Sequence, residues 1–176
     1  MSKLKPQYEI MHDRGRVYHG SCLSAFVRDI GKLIQETKSR SLLDYGSGKG
    51  SQYYIDHLHK NYFFNIMPTL YDIGIPEYSV LPNEKFDGVF STDVLEHIPE
   101  EELDEVLSYI SNAANKFVYL AICTIPAPDL LPNGEQAHVT LKPIEWWVDK
   151  ITPFVKVDTT VHCYGNETSI KLIKAQ

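Results

Sequence analysis

Three glycines at alternate positions follow a short apolar segment and carry the strongest chemical signal in the sequence. Gly46, Gly48 and Gly50 come directly after residues 42–45, and a helical pattern begins at Ser51. Glycine allows a sharp turn and lets a ligand approach the backbone to van der Waals contact. The start of the helix beyond the turn offers free N–H groups and the positive end of a dipole. The segment therefore predicts a cofactor-binding loop between a strand and a helix.

The spacing of these glycines excludes two common nucleotide motifs. The dinucleotide fingerprint G-x-G-x-x-G requires a glycine where Ser51 stands, and a P-loop requires a lysine after its last glycine, whereas Lys49 precedes Gly50. The remaining pattern, D-x-G-x-G-x-G beginning at Asp44, resembles the S-adenosylmethionine loop of class I methyltransferases. The resemblance implies that Asp44 anchors the loop. It also implies that the cofactor's methionine part is held by the backbone of Gly46, Ser47, Gly48 and Gly50.

An acidic residue ends the next predicted strand. Asp72 lies 22 residues after Gly50, and a carboxylate at such an offset can accept two hydrogen bonds from a ribose diol. In the resembled family an acid here holds the ribose hydroxyls, and Tyr71 or Ile73 could then flank the adenine. The alternative is a turn-capping aspartate before Gly74.

The segment FDGVFSTDVLEHIP, residues 86–99, also resembles small-molecule class I methyltransferases, in which a strand is followed by a D-V-L-E-H type of turn. Ligands of parallel α/β sheets lie outside the carboxyl ends of the strands. The resemblance therefore implies that Asp93, Val94 and Leu95 pass beneath the donor methyl group. His97 is a candidate catalytic residue, and the alternative is a helix-entry histidine bonded to the backbone.

Two further segments are candidates for the lid and the acceptor pocket. Residues 1–22 are rich in aromatics and histidines, and the resemblance implies a lid over the cofactor; the alternative is a surface arm. Its candidate cofactor-binding residues are Tyr8, Met11, His12 and Gly20. The loop after the predicted strand 116–123 should face the same crevice, and within it His138 is the first candidate for a general base. The alternative for His138 is a place near the start of the helix 143–151.

These residues must be positioned by alternating helices and strands. Apolar periodicity predicts helices over 23–34, 51–59, 99–114 and 143–151, and strands over 41–45, 69–72, 86–91 and 116–123, with an antiparallel pair over 155–161 and 169–173. The alternation favours a parallel sheet covered on both faces. The family resemblance completes the expectation of an α/β, doubly wound, mainly parallel seven-stranded sheet with a C-terminal antiparallel hairpin, in a three-layer αβα sandwich. We expect a single domain over 1–176, with its cofactor-binding core at 41–125.

Composition excludes several classes of protein. The chain has 176 residues, 43% of them hydrophobic, which suits one folded domain. A net charge of −6 argues against nucleic acid as a partner. DNA-methylating enzymes of the resembled superfamily often carry a Pro-Pro motif after this strand, and none follows the strand 86–91 here. No apolar run could span a membrane, and no signal peptide is recognisable, so we expect a cytoplasmic protein. Cys22, Cys123 and Cys163 have no paired spacing, and the histidines show no metal motif, so we expect no disulfide, no structural zinc and no other metal.

Together these features predict an S-adenosylmethionine-dependent methyltransferase that transfers a methyl group to a small-molecule acceptor, as a monomer or homodimer. Two alternatives remain open. One is a non-catalytic partner subunit that binds S-adenosylmethionine, and the other is a nicotinamide-dependent reductase on a similar sheet.

Overall fold

A computed structural model describes residues 2–13, 21–155, 160–164 and 167–172. Its six strands form one sheet in the order β2-β1-β3-β4-β6-β5. Strands β1 to β4 are parallel, and β6 runs antiparallel to both of its neighbours, β4 and β5. The strands are β1 (Leu42–Tyr45), β2 (Thr69–Tyr71), β3 (Phe86–Thr92), β4 (Ala114–Cys123), β5 (Thr160–Tyr164) and β6 (Glu167–Leu172).

The prediction of seven strands is wrong for the described residues. The connection from β2 to β3 contains a short 3-10 turn, Pro76–Tyr78, and a second proline at Pro82, in place of a further helix and strand. Proline removes a ladder donor and restricts the preceding residue, so this segment crosses directly to the next strand. An antiparallel pair is present at the C-terminal end, but its first strand is β5, Thr160–Tyr164, rather than the expected 155–161.

Six α-helices accompany the sheet in the described residues, and their bounds differ locally from the expected ones. They are α1 (Lys5–Asp13), α2 (Val27–Thr37), α3 (Ser51–Tyr54), α4 (Leu58–Tyr62), α5 (Leu103–Ala113) and α6 (Ile144–Ile151). The helix expected over 51–59 is divided because His57 adopts a left-handed φ of 53°. The helix expected from residue 99 begins with a 3-10 turn, Glu100–Glu102, before α5.

The sheet is covered on both faces, as the alternation along β4 shows. Val118, Leu120 and Ile122 pack with α5 and α6, whereas the intervening Phe117 and Tyr119 pack with α2. Successive side chains of a strand point to opposite faces, so the helices form two layers on either side of the sheet. No helix in the described ranges is long and apolar enough to cross a membrane.

The order of the strands places a crevice at the end of β1. The chain moves from β1 outward to β2, then returns to pair β3 with the other side of β1. Strand order reverses between β1 and β3, and ligands of open α/β sheets bind outside the carboxyl ends of the strands at such a switch point.

Candidate active site

The glycine loop is held between the end of β2 and the turn after β3. Gly46, Gly48 and Gly50 have left-handed φ angles of 86°, 57° and 67°. The N–H groups of Gly46 and Ser47 both donate to the Tyr71 carbonyl, at 2.7 and 3.0 Å. A Cβ added to Gly46 would lie 2.3 Å from Cγ2 of Val94, so the loop can take this path only with glycine there.

Asp44 lies buried beneath the loop. One of its oxygens, Oδ2, accepts hydrogen bonds from the Tyr53 hydroxyl at 2.7 Å and from Nε2 of Gln52 at 3.4 Å. Burial raises the pKa of Asp44 to about 7, because these hydrogen bonds offset only part of the desolvation. The carboxyl group is therefore held by two side chains of α3.

Asp72 connects β2 to the glycine loop. Its Oδ2 accepts from the Gly48 N–H at 2.8 Å, and its Oδ1 accepts from the Gly74 N–H at 2.9 Å. The ring nitrogen Nε2 of His12 lies 3.3 Å from the same Oδ1. The carboxylate thus caps its own turn, as the alternative interpretation proposed, and also reaches the glycine loop.

Asp93, which is half-buried, and Glu96, which is fully buried, form an acidic pair at the end of β3. Asp93 has a left-handed φ of 61°, and its Oδ2 accepts from the Cys22 thiol at 3.0 Å. Burial works to raise the pKa of Asp93, but its interactions with Glu96 and Cys22 outweigh burial and lower that pKa below its ordinary value. Burial and the neighbouring Asp93 raise the pKa of Glu96 well above its ordinary value.

The two candidate catalytic histidines lie edge to face, with ring centroids 4.6 Å apart. His97 borders the cavity described below and places Nδ1 3.0 Å from the Ala137 carbonyl. Burial, together with His138, lowers the pKa of His97 to about 4. His138 lies behind His97, with Nδ1 2.5 Å from the Ile125 carbonyl. Of the two, His97 is the one placed to touch a ligand.

The N-terminal segment contains a helix that lies over the site. Tyr8 of α1 donates its hydroxyl proton to the His97 carbonyl at 2.7 Å, and His12 reaches Asp72. Met11 points the other way, into a small apolar cluster with Leu4, Leu131 and Ala137. Helix α1 is therefore packed against the fold through one face and lines the crevice with the other. Gly20 lies outside the described residues.

A cavity of about 820 Å³ opens beside the loop, within the roughly 300–1,000 Å³ of small-molecule sites. The sequence-predicted residues that line it are Asp44, Gly46, Gly48, Asp72, Ile73, Asp93, Val94, His97, Tyr8 and His12. Ser47, Gly50, Leu95, Met11 and His138 do not line it. Leu95 is fully buried in the core, and Gly50 begins α3, so these two support the site from behind.

Sequence reasoning missed several lining residues. Cys22 gave no signal in the sequence because its partner Asp93 is 71 residues away. The acids Glu102 and Glu105 fall in a segment that is typical of a helix start, so their place at the cavity was hidden. An apolar part of the lining comes from Val80, Leu81, Ile98 and Val106. Val80 is an exposed aliphatic residue outside any helix or strand, and this exposure could be recognised only from the structure.

Comparison with known proteins supports the fold. No family model matches the chain, and no curated protein matches it. Similar solved structures include an O-methyltransferase family protein from Burkholderia thailandensis, with a TM-score of 0.65 and 14% identity over 96% of this chain and 60% of that one. Human N-acetylserotonin methyltransferase in complex with SAM has a TM-score of 0.63 and 10% identity, over 98% of this chain and 57% of the human one.

A third similar structure, the DhpI–SAH complex, has a TM-score of 0.56 and 16% identity over 96% of both chains. The chain thus spans less than two thirds of the first two proteins but nearly all of the third. The chain has the fold of the class I S-adenosylmethionine-dependent methyltransferases.

Proposed function

We propose that this chain binds S-adenosylmethionine in the crevice at the end of β1 and transfers its methyl group to a small molecule. The observation that carries the proposal is the hydrogen bond between the Gly48 N–H and the Asp72 carboxylate, which joins the two expected cofactor elements at the sheet's switch point. Several of the similar structures are methyltransferases, and two of them hold SAM or SAH.

The residues of the crevice fit such a cofactor chemically. A carboxylate offers about four lone-pair sites, and Asp72 uses two of them for the N–H groups of Gly48 and Gly74. Two remain for a ribose diol, one of them where His12 now lies. The described lining carries five carboxyl groups, Asp44, Asp72, Asp93, Glu102 and Glu105, against one lysine, Lys5. This balance suits a sulfonium cation.

When bound, S-adenosylmethionine supplies a methyl group whose bond to the positive sulfur breaks as an acceptor lone pair attacks, leaving a neutral thioether. No residue of the cavity therefore needs to protonate a leaving group. The task of the chain is to position the acceptor in line with the methyl group and to exclude water. Helix α1 performs the second task, because Tyr8 and His12 hold it across the crevice.

His97 is placed to orient the acceptor. The Ala137 carbonyl beside Nδ1 places the ring proton on that atom, which leaves a lone pair on Nε2. A neutral ring of this kind can accept a hydrogen bond from an acceptor hydroxyl or amine. The aliphatic part of the cavity lining, which includes Ile98 and Val106, favours an acceptor with an apolar body.

Calorimetric titration with S-adenosylhomocysteine and with NADH tests the cofactor, because binding of NADH in place of the thioether would favour a reductase. Incubation with methyl-labelled donor and a pool of small metabolites tests the reaction. Label transferred by the wild type and lost in Asp72→Ala supports the proposal. Tight thioether binding without transfer to any metabolite would favour the non-catalytic partner subunit.

A further inference from the structure

A second candidate site lies just behind the cavity, where three separate segments meet. Asp93 and Glu96 come from the turn after β3, Cys123 from the end of β4 and His138 from the loop 124–140. One ligand atom from each residue lies within 4.8 Å of the others, and all but Asp93 are buried. These four side chains are a carboxylate pair, a thiol and an imidazole, which are the groups that bind transition metals.

Glu96 carries a buried polar atom that makes no hydrogen bond with the described residues. Glu96 is fully buried, and its Oε1 accepts from the Cys123 backbone N–H at 2.6 Å. Its other oxygen, Oε2, has no hydrogen-bond partner among the described residues. A buried carboxyl oxygen without a partner is costly to the fold. An ion bound by the four groups would satisfy it.

The surroundings already orient the ligands as metal sites require. A metal-binding histidine usually donates its second N–H to a carbonyl, and the Ile125 carbonyl at Nδ1 of His138 supplies that partner, leaving Nε2 with its lone pair. The Cys123 N–H fixes the Glu96 carboxylate in the same way. The Cys22 thiol donates to one oxygen of Asp93 and so fixes the orientation of that carboxylate.

We propose that Asp93, Glu96, Cys123 and His138 bind one divalent transition-metal ion, and the donor set favours Zn²⁺. A thiolate and an imidazole disfavour Mg²⁺ and Ca²⁺, which prefer oxygen ligands. Ideal zinc bond lengths place the ligand atoms of a tetrahedral site about 3.3–3.8 Å apart, so the cluster needs to contract by about 1 Å. Sequence spacing could not reveal this site, because its ligands come from three segments. This inference revises the expectation of no metal.

Four protein ligands make a closed site, so the ion has a structural role. It would join the loop 124–140 to the ends of β3 and β4 directly behind His97. Because Asp93 also lines the cavity, the ion would stabilise one wall of the cavity. This site does not depend on the proposed cofactor, and binding of S-adenosylhomocysteine is tested separately.

The test uses the untagged chain, stripped with a chelator, incubated with Zn²⁺ or Co²⁺ and desalted. We expect about one ion per chain by elemental analysis and a higher melting temperature with Zn²⁺ than with Mg²⁺. The Co²⁺ form should show a thiolate charge-transfer band that is absent in Cys123→Ser but present in Cys22→Ser, the matched control. Glu96→Gln should weaken Zn²⁺ affinity by at least about tenfold.

Circular dichroism confirms that each variant is folded, and His138→Asn replaces Cys123→Ser if the latter does not fold. A folded wild-type chain that retains no Zn²⁺ would overturn the proposal. So would a charge-transfer band that survives Cys123→Ser, or one that is lost only in Cys22→Ser.

Discussion

The Asp72 carboxylate accepts a hydrogen bond from the backbone N–H of Gly48 at 2.8 Å, across 24 residues of sequence. This contact joins the carboxyl end of β2 to the loop that follows β1. It holds the Asp72 carboxylate, a hydrogen-bond acceptor, and the glycine loop in one crevice, which is the arrangement that a nucleoside cofactor requires.

The role of Asp72 can be measured directly. Asp72→Ala removes a charged acceptor from the crevice, so we expect the affinity for S-adenosylhomocysteine to fall by about 1–3 kcal/mol in calorimetric titration. Asp56→Ala is the matched control, because Asp56 is exposed in the turn between α3 and α4. Unchanged affinity in the Asp72 variant would remove the ribose role.

The steric demand at Gly46 can be separated from its backbone conformation. Gly46 and Gly134 both have a φ of 86°, but an added Cβ meets Val94 at 2.3 Å in the first case and nothing within 4 Å in the second. Gly134→Ala should therefore lower the free energy of unfolding by only about 1 kcal/mol, the cost of a left-handed conformation for alanine. Gly46→Ala should lower the free energy of unfolding by about 1–3 kcal/mol more, as measured by urea unfolding. It should also weaken cofactor binding. Equal losses in the two variants would contradict the close contact with Val94.

The buried Asp44 predicts a pH-dependent stability. Its folded pKa of about 7 exceeds the ordinary value of 3.8, so the folded chain binds the proton more tightly than the unfolded chain. The associated stability is complete below about pH 4 and is lost as the pH rises through about 7. The Asp44→Asn side chain cannot ionise. At pH 8 we therefore expect the free energy of unfolding of this variant to exceed that of the wild type by up to about 4 kcal/mol in urea unfolding, and at pH 4 we expect little difference.

Asp56→Asn provides the control for this experiment, because an exposed side chain should leave the wild-type pH dependence in place. If Asp44→Asn followed the same pH profile as the wild type, the carboxyl group would not be the origin of that dependence.

The apolar cluster around Met11 is expected to hold helix α1 in place beside the crevice. Met11 is 3% exposed in the apolar cluster, whereas its neighbour Ile10 is 45% exposed. Met11→Ala should weaken the docking of α1 by about 2 kcal/mol, which hydrogen exchange would record as faster exchange of the α1 amides. Ile10→Ala on the same helix should leave these rates near the wild-type values. If α1 is a lid, its weaker docking in Met11→Ala should speed cofactor release, so slower release in this variant would argue against a lid.

The local signals in the sequence defined much of the crevice. The glycine loop, Asp72 and the turn at Asp93 were each predicted as site residues, and the structure brings all three to one cavity. Strand and helix positions followed from apolar periodicity, because each element must bury one face. The number of strands did not follow, since the prolines between β2 and β3 allow a direct crossing that the family pattern did not suggest.

By itself, the sequence determined which segments become strands and helices, and which residue types stand at their ends, because periodicity and turn chemistry act over a few residues. Only the tertiary structure decided that His97 borders the cavity while His138 lies behind it, and that His138 meets Glu96 and Cys123. These relationships depend on how the sheet stacks distant segments. Burial then raises the pKa of Asp44 and of Glu96, and no local sequence pattern indicates that these two carboxyl groups are buried.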